Sequence, residues 1–271
     1  SILFEAIEFF KLRSFWYFIT GTVWSPGVIG SQFGALPIFA GTFVITIIAL
    51  AVAIPIGLGS AIYMSEYASP KLRDYLKPIL EILAGIPTVV YGFFAAITVA
   101  PLVVKVAAFF GLEATFNSAL ASGIVMGIMI IPLISSLSDD VIRAVPDSQR
   151  KAAFALGMTH GETIKNIVIP SAMPGIISAS LLALSRALGE TMIVVMAAGL
   201  RPNLSWNPLE DMTTVTVTIV NSLVGDFEFN SPETLSAFAL GLVLFIVTLI
   251  LNMISLSLIR KFKEKYKVNT L

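Results

Sequence analysis

The sequence predicts an all-α polytopic membrane protein, a helical bundle, on three observations. Of its 271 residues, 56% are hydrophobic and 13% charged, with mean hydropathy +0.91, against about 45–50% apolar and 25% charged in soluble proteins. Five long stretches carry no charge, or one Arg and one Glu. Glycine and proline punctuate nearly every stretch: Pro37, Pro55, Gly57, Gly59, Pro78, Gly85, Pro87, Gly92, Pro132, Pro174 and Gly175. Lipid tolerates such interruptions only where neighbouring helices or a water-lined cavity satisfy the freed carbonyls. The pattern favours a bundle that forms a pathway over a simple anchor.

Stretches 34–65, 82–104, 114–138 and 234–259 have no charged residue, and each exceeds the roughly 20 residues a spanning helix needs. The fifth joins 166–185 to 191–200 across Arg186 and Glu190. These five spans place a transmembrane domain at 37–259, between an external interfacial segment, 1–36, and a basic tail, 260–271. Ser1 is not an initiator Met, and 1–20 has neither a basic leader nor an uncharged run long enough to span. A further helix upstream of Ser1 is therefore expected. Phe4, Ile7 and Phe10, followed by Phe15, Trp16, Tyr17 and Trp24, read either as an interfacial amphipathic segment with an aromatic belt or as the frayed remainder of that helix.

Basic residues set the orientation. If the spans alternate, Lys71, Arg73, Lys77, Arg143, Arg150, Lys151, Lys165 and the tail with Arg260, Lys261, Lys263, Lys265 and Lys267 share one side. That side is expected to be cytoplasmic, C-terminus included. The other holds Lys11, Arg13, Lys105 and Arg201 with Glu210, Asp211, Asp226, Glu228 and Glu233.

Arg186 and Glu190 are the most informative residues. An arginine near the centre of a membrane helix costs roughly 2.5–3.5 kcal/mol, whereas an i,i+4 pair on a helix surface returns only about 0.2–0.5 kcal/mol. The pair, expected one turn apart on one helix face and buried, needs an aqueous cavity, other helices or a charged passenger. Other classes are narrowed by composition. Zero Cys and a single His, His160, leave no metal cluster and no serine triad to propose, and the formal charge of +0 points to no nucleic-acid partner.

The segment 138–169 is the longest connection on the basic side. After Pro146, Asp147 or Ser148 is placed to cap a short helix carrying Lys151, Ala152, Ala153 and Leu156, with Gly157 suited to the left-handed position past its end. Thr159 and Glu162 form a capping box that starts a second helix, which runs to Ile169, where Pro170 marks a kink or a join. Asp139, Asp140 and Arg143 read as a solvated helix face. Met126, Met129, Met192 and Met196 read as packing rather than a metal path.

Lys151-Ala152-Ala153, three residues, Gly157, nine residues, then Ile167-Val168-Ile169-Pro170 resembles the EAA signature of ABC-importer permeases, with Lys where that family often has Glu. Arg186-Ala187-Leu188-Gly189-Glu190-Thr191 and Ile86-Pro87-Thr88-Val89-Val90-Tyr91-Gly92 resemble the phosphate-specific permeases of that class. Phe33-Gly34, Leu36-Pro37 and Gly41-Thr42 are closer to its PstC subunit than to PstA. The resemblance implies a type I ABC importer permease with six spans in the cytoplasmic membrane, a second PstA-like permease, two PstB-like ATPases and an external PstS-like phosphate-binding protein. It implies that Lys151, Ala152, Ala153, Leu156, Gly157, Thr159, Ile167 and Pro170 belong to a helix pair that docks on the ATPase. ATP and Mg would sit on that ATPase, with no cofactor in this chain, which has no phosphate-binding Gly-rich loop ending in Gly-Lys-Ser/Thr.

Under that resemblance Arg186 is a cationic contact for phosphate in transit, its planar fork of donors matching an oxyanion. Glu190 would hold Arg186 when the path is empty, Gly189 would leave room for close approach, Thr191 would donate a hydrogen bond, and Thr88 and Tyr91 would line the path. The competing reading of the pair is a structural tie between the two permeases. Thr88 and Tyr91 also fit ordinary kink geometry, and His160 a solvated or ATPase-facing position. A permease for sulfate or molybdate, an ion-coupled secondary carrier and a membrane enzyme are the alternative functions. The EAA-like loop argues against the carrier, which needs no ATPase dock, and the lack of a second ionisable group beside the pair argues against the enzyme.

Overall fold

The computed structural model describes residues 2–27, 31–224 and 231–265. Asp226, Glu228 and Lys267 lie outside the described residues, as do the side chains of Arg260, Lys261, Lys263 and Lys265. Five helical stretches are long and apolar enough to cross a membrane: Leu36–Tyr67, Thr88–Phe109, Ala119–Arg143, His160–Leu188 and Pro232–Ile254. The sequence expectation of five spans stands, with boundaries displaced by two to six residues in four of them and the end of the fifth drawn back from 200 to Leu188. Two compact units divide the chain, and four helices contribute residues to both.

The first unit comprises Ser1–Ala49, Pro87–Met126 and Ala187–Leu249. Its N-terminal helices, α1 (Ile2–Leu12) and α2 (Phe15–Thr20), are followed by a two-residue antiparallel hairpin, β1 (Trp24–Ser25) with β2 (Gln32–Phe33). The i,i+3 pair Ala6 and Phe9 points inward, fully buried, while Phe4 and Ile7 are exposed. Phe9 meets Phe18 and Phe33 edge to face at 5.4 and 5.5 Å, and Trp24 meets Phe33 at 5.6 Å, the arrangement aromatic quadrupoles prefer. α3 (Leu36–Ile62) begins against this cluster through Ile38. α5 (Thr88–Phe94), α6 (Ala100–Phe109), the first part of α7 (Ala119–Arg143), α11 (Met192–Ala197), α12 (Val215–Val224) and most of α13 (Pro232–Lys265) complete the unit. Thr42 is a polar pin inside it: its hydroxyl donates to the Ile38 carbonyl at 2.9 Å and accepts from the Val215 amide at 3.0 Å. The apolar helix α12 was not anticipated, because 215–224 is too short to read as a span.

The second unit comprises Leu50–Ile86, Gly127–Arg186 and Ile250–Leu271. It holds the end of α3, α4 (Pro70–Ala84), the rest of α7, α8 (Asp147–Ala155), α9 (His160–Thr163) and α10 (Ile169–Leu188). Ala61, Ile142, Val145, Val168, Ala172 and Ile176 form its core. At Gly175 a Cβ would stand 2.2 Å from Val141 Cγ1, so that crossing of α10 and α7 requires glycine. Seven of the basic residues assigned to the cytoplasmic side, Lys71, Arg73, Lys77, Arg143, Arg150, Lys151 and Lys165, all fall in this unit, whereas Lys11, Arg13, Lys105 and Arg201 fall in the other.

The expected solvated face is corrected at Asp139 alone; Asp140 and Arg143 are exposed. Asp139 is fully buried and accepts from Arg73 at 2.7 Å, and Asp140 pairs with Lys77 at 2.6 Å. α4 has no buried residue of its own, so these two charge pairs tie its polar face to α7. The hydrogen bond from Arg73 to Asp139 raises the arginine's already high pKa.

Prolines inside the spans do not end them. α3, α7 and α10 continue through Pro55, Pro132 and Pro174. Two π turns, Ala95–Val99 and Ile164–Val168, precede Pro101 and Pro170. A proline lacks the N–H and crowds the carbonyl four residues back, and an i→i−5 turn at that point opens the helix enough to admit it. Pro170 is thus the join that the sequence suggested: the second coupling helix runs on through it, and His160–Leu188 is one continuous span.

Candidate functional site

The two phosphate-permease-like runs, distant in sequence, each span a break between helices. α4 stops at Ala84 and α5 starts at Thr88 after Gly85-Ile86-Pro87; α10 stops at Leu188 and α11 starts at Met192 after Gly189-Glu190-Thr191. The segments that follow both breaks, α5 and α11, lie against each other. Gly92 makes the approach possible, since a Cβ there would lie 2.7 Å from the Met196 sulfur and 3.1 Å from the Met192 carbonyl oxygen. Thr88 and Thr191 are half-buried at the starts of the two segments, and Tyr91 is buried. Discontinuous helices of this kind build the substrate sites of many membrane transporters.

The expected geometry of Arg186 and Glu190 is overturned. Because α10 ends at Leu188, the two residues do not share a helix face. Glu190 is 8% exposed, and its Oε1 accepts from the backbone amides of Met192 at 3.1 Å and Ile193 at 3.3 Å. A carboxylate at a helix N-terminus satisfies orphan donors and meets the positive end of the helix dipole. The Thr216 hydroxyl donates to the Glu190 carbonyl at 2.8 Å, fixing the break from α12. Glu190 is thus a structural cap, and Arg186 is exposed rather than buried, with no carboxylate paired to it among the described residues of its own unit. Gly189 beside it is exposed as well. No sequence signal distinguished a continuous helix from a broken one here, although Gly189 followed by Glu190 and Thr191 is, in hindsight, a stop followed by a cap.

The second candidate surface is the connection between α7 and α10. Pro146, not Asp147 or Ser148, occupies the N-cap position of α8, with no side-chain cap. At its end Gly157 adopts φ 80°, its amide bonds the Phe154 carbonyl and the Met158 amide bonds Ala153, which is a Schellman closure. The capping box is present as expected: the Thr159 amide donates to Glu162 Oε2 at 2.8 Å, and the Glu162 amide to the Thr159 hydroxyl at 3.4 Å. Lys151, Ala152, Leu156 and Gly157 are exposed, Leu156 by 84%. Ala153 faces inward, 3% exposed, and packs this segment against its own chain. A groove of about 810 Å³ runs beside them, lined by Ala152, Leu156, Asn166, Ile167 and Pro170 among others.

Sequence reasoning passed over the residues that hold this segment. Arg150 donates to Glu66 Oε1 at 2.8 Å, to the Ile142 carbonyl at 3.0 Å, to Asp147 at 3.3 Å and to the Val145 carbonyl. His160 sits against Tyr67 edge to face at 5.0 Å with its Nε2 3.8 Å from Glu66 Oε2, so it is partly engaged within this chain rather than simply solvated.

Five apolar spans, a pair of interrupted helices that meet, and a helix–turn–helix with an exposed apolar tip define a subunit of a membrane transport system. The chain belongs to the family described as binding-protein-dependent transport system inner membrane component, which it matches over residues 53–267. It is 34% identical over 251 residues to the probable ABC transporter permease protein YqgH of Bacillus subtilis (strain 168), covering 93% of this chain and 78% of that protein. It is 32% identical over 288 residues to the phosphate transport system permease protein PstC 1 of Mycobacterium tuberculosis (strain ATCC 25618 / H37Rv), covering 95% and 85%. Its fold is that of the permease in a bacterial alginate ABC importer, TM-score 0.66 at 14% identity over 96% of this chain and 88% of that one. It also matches the MetNI methionine ABC transporter in an inward-facing conformation, TM-score 0.61 at 16% identity over 82% and 93%.

Proposed function

We propose that this chain is a PstC-type permease subunit of an ATP-driven importer that moves inorganic phosphate across the cytoplasmic membrane by alternating access. The observation that carries the reading is the packing of the Thr88–Gly92 run on α11, the segment that follows the second phosphate-permease-like run, in a chain whose relatives include PstC proteins along most of its length. Arg186 supplies the oxyanion contact: an exposed guanidinium, the only charge between 166 and 188, offers paired donors to a phosphate, and water or the second permease completes its surroundings. Glu190 acts indirectly, by holding the start of α11. Thr88 and Thr191 offer hydroxyls at the two breaks.

The partners are a PstA-like permease, two PstB-like ATPases that carry ATP and Mg, and a PstS-like external binding protein. Lys151, Ala152, Leu156, Gly157, Thr159, Ile167 and Pro170 form the ATPase dock at the cytoplasmic side, where the C-terminus also lies. The chain contributes no catalytic group; hydrolysis belongs to the ATPase. An external segment 1–36, a transmembrane domain 37–259 with coupling loop 138–169 and a tail 260–271 divide these tasks.

The test is ATP-dependent uptake of labelled phosphate by the assembled complex in proteoliposomes with the binding protein supplied. Phosphate accumulates, and excess unlabelled sulfate or molybdate leaves the rate unchanged. Preferential uptake of either competitor, or uptake without ATP, contradicts the reading.

A further inference from the structure

We infer that Arg150 and Glu66 form a clamp that transmits movement of the ATPase-docking segment to the end of the first span. This rests on the ATP-driven reading above. Glu66 lies in the π turn Tyr63–Tyr67, which closes the Leu36–Tyr67 span through the Ala68 amide and the Tyr63 carbonyl. Its two carboxylate oxygens face different elements: Oε1 takes the Arg150 guanidinium of α8 at 2.8 Å, and Oε2 stands 3.8 Å from His160 at the start of α9. The side chains of Glu66 and Arg150 are only 6% and 15% exposed.

Arg150 also binds the Ile142 and Val145 carbonyls at the end of α7 and the Asp147 carboxylate at the start of α8. One planar fork thus joins the end of α7, the docking helix and the first span. A lysine keeps the charge but presents a single nitrogen, which cannot reach all these acceptors at once. On the same segment Lys151 and Leu156 remain exposed to meet a partner. Force applied at that surface reaches the first span through a largely buried side chain that grips both. Arg150 and Glu66 are therefore positioning residues for coupling, not contacts of the substrate.

The test compares Arg150→Lys and Glu66→Gln with wild type in the assembled complex, reading phosphate moved per ATP hydrolysed. Both variants assemble and hydrolyse ATP, while phosphate moved per ATP falls at least tenfold; Arg143→Lys, an exposed change nearby, leaves the ratio unchanged. Loss of assembly, or hydrolysis and uptake falling in equal proportion, marks the contact as structural only and overturns the inference. Amide hydrogen exchange on the solubilised chain provides an arm that needs no transport. Either substitution should raise exchange at both 63–67 and 147–155, and a rise confined to the substituted element overturns the clamp. If the wild-type complex moves no phosphate, the importer reading fails and the exchange arm still decides the clamp.

Discussion

Gly92 of α5 lies so close to Met196 of α11 that no side chain fits between them: a Cβ would stand 2.7 Å from the sulfur and 3.1 Å from the Met192 carbonyl. The methionine end can swing aside, but the carbonyl belongs to the first turn of α11 and cannot. Gly92→Ala should therefore cost about 1–3 kcal/mol in overpacking. Phosphate uptake per unit of inserted protein falls with it, and combination with Met196→Ala recovers only part of the loss. Full uptake by Gly92→Ala would show that the two segments need not touch.

Glu190 separates two accounts of the same motif. As a cap on α11, it requires an oxygen acceptor rather than a charge, so Glu190→Gln keeps most of the uptake and Glu190→Ala loses the roughly 0.5–2 kcal/mol that caps contribute. As a counterion for Arg186 it would require the charge, and Gln and Ala would fail alike. Uptake rates and thermal midpoints of the two variants decide between these outcomes.

Ala153 within α8 and Leu156 at its C-cap have opposite exposures, 3% and 84%. Leu156→Glu should abolish co-purification with the ATPase while the chain's own thermal stability stays within about 0.5 kcal/mol, the usual range for surface changes. Ala153→Leu should instead destabilise the chain itself, by about 1–3 kcal/mol, before any partner is added.

The Glu210 carboxyl accepts hydrogen bonds from Ser205, Asn203 and Asn207, the serine being the largest influence, and these hold its pKa below the ordinary carboxylate value. Because the folded value is depressed, its contribution to stability is complete above the unfolded value and fades as pH falls through the folded one. The loop around Trp206 should accordingly loosen at acidic pH, read as a change in indole fluorescence. Glu210→Gln should lack that transition, and an identical transition in the variant would contradict the assignment.

Span number and the helix–turn–helix at 147–163 were legible in the sequence, because charge-free length and the Thr159/Glu162 box are local signals. The break at Gly189 was not. A helical reading of 166–200 satisfies the same hydropathy, and only the packing of α11 on α5 at Gly92 and the Thr216 bond to the Glu190 carbonyl settle the chain into two pieces. Burial of Asp139 was equally invisible, since its partner Arg73 is 66 residues away in sequence. Arg150 escaped notice for the same reason: its value lies in Glu66, Ile142 and Val145, which no spacing rule connects to it.

The most direct measurement is phosphate uptake by proteoliposomes containing the complete complex with Arg186→Gln, matched for assembly and ATP hydrolysis. Loss of a charge-assisted contact worth about 1.5–3 kcal/mol should slow uptake by roughly 10- to 150-fold, with Arg186→Lys between the two. Uptake by Arg186→Gln at the wild-type rate would contradict the account, because the one guanidinium held in this apolar span would then have no part in moving the anion.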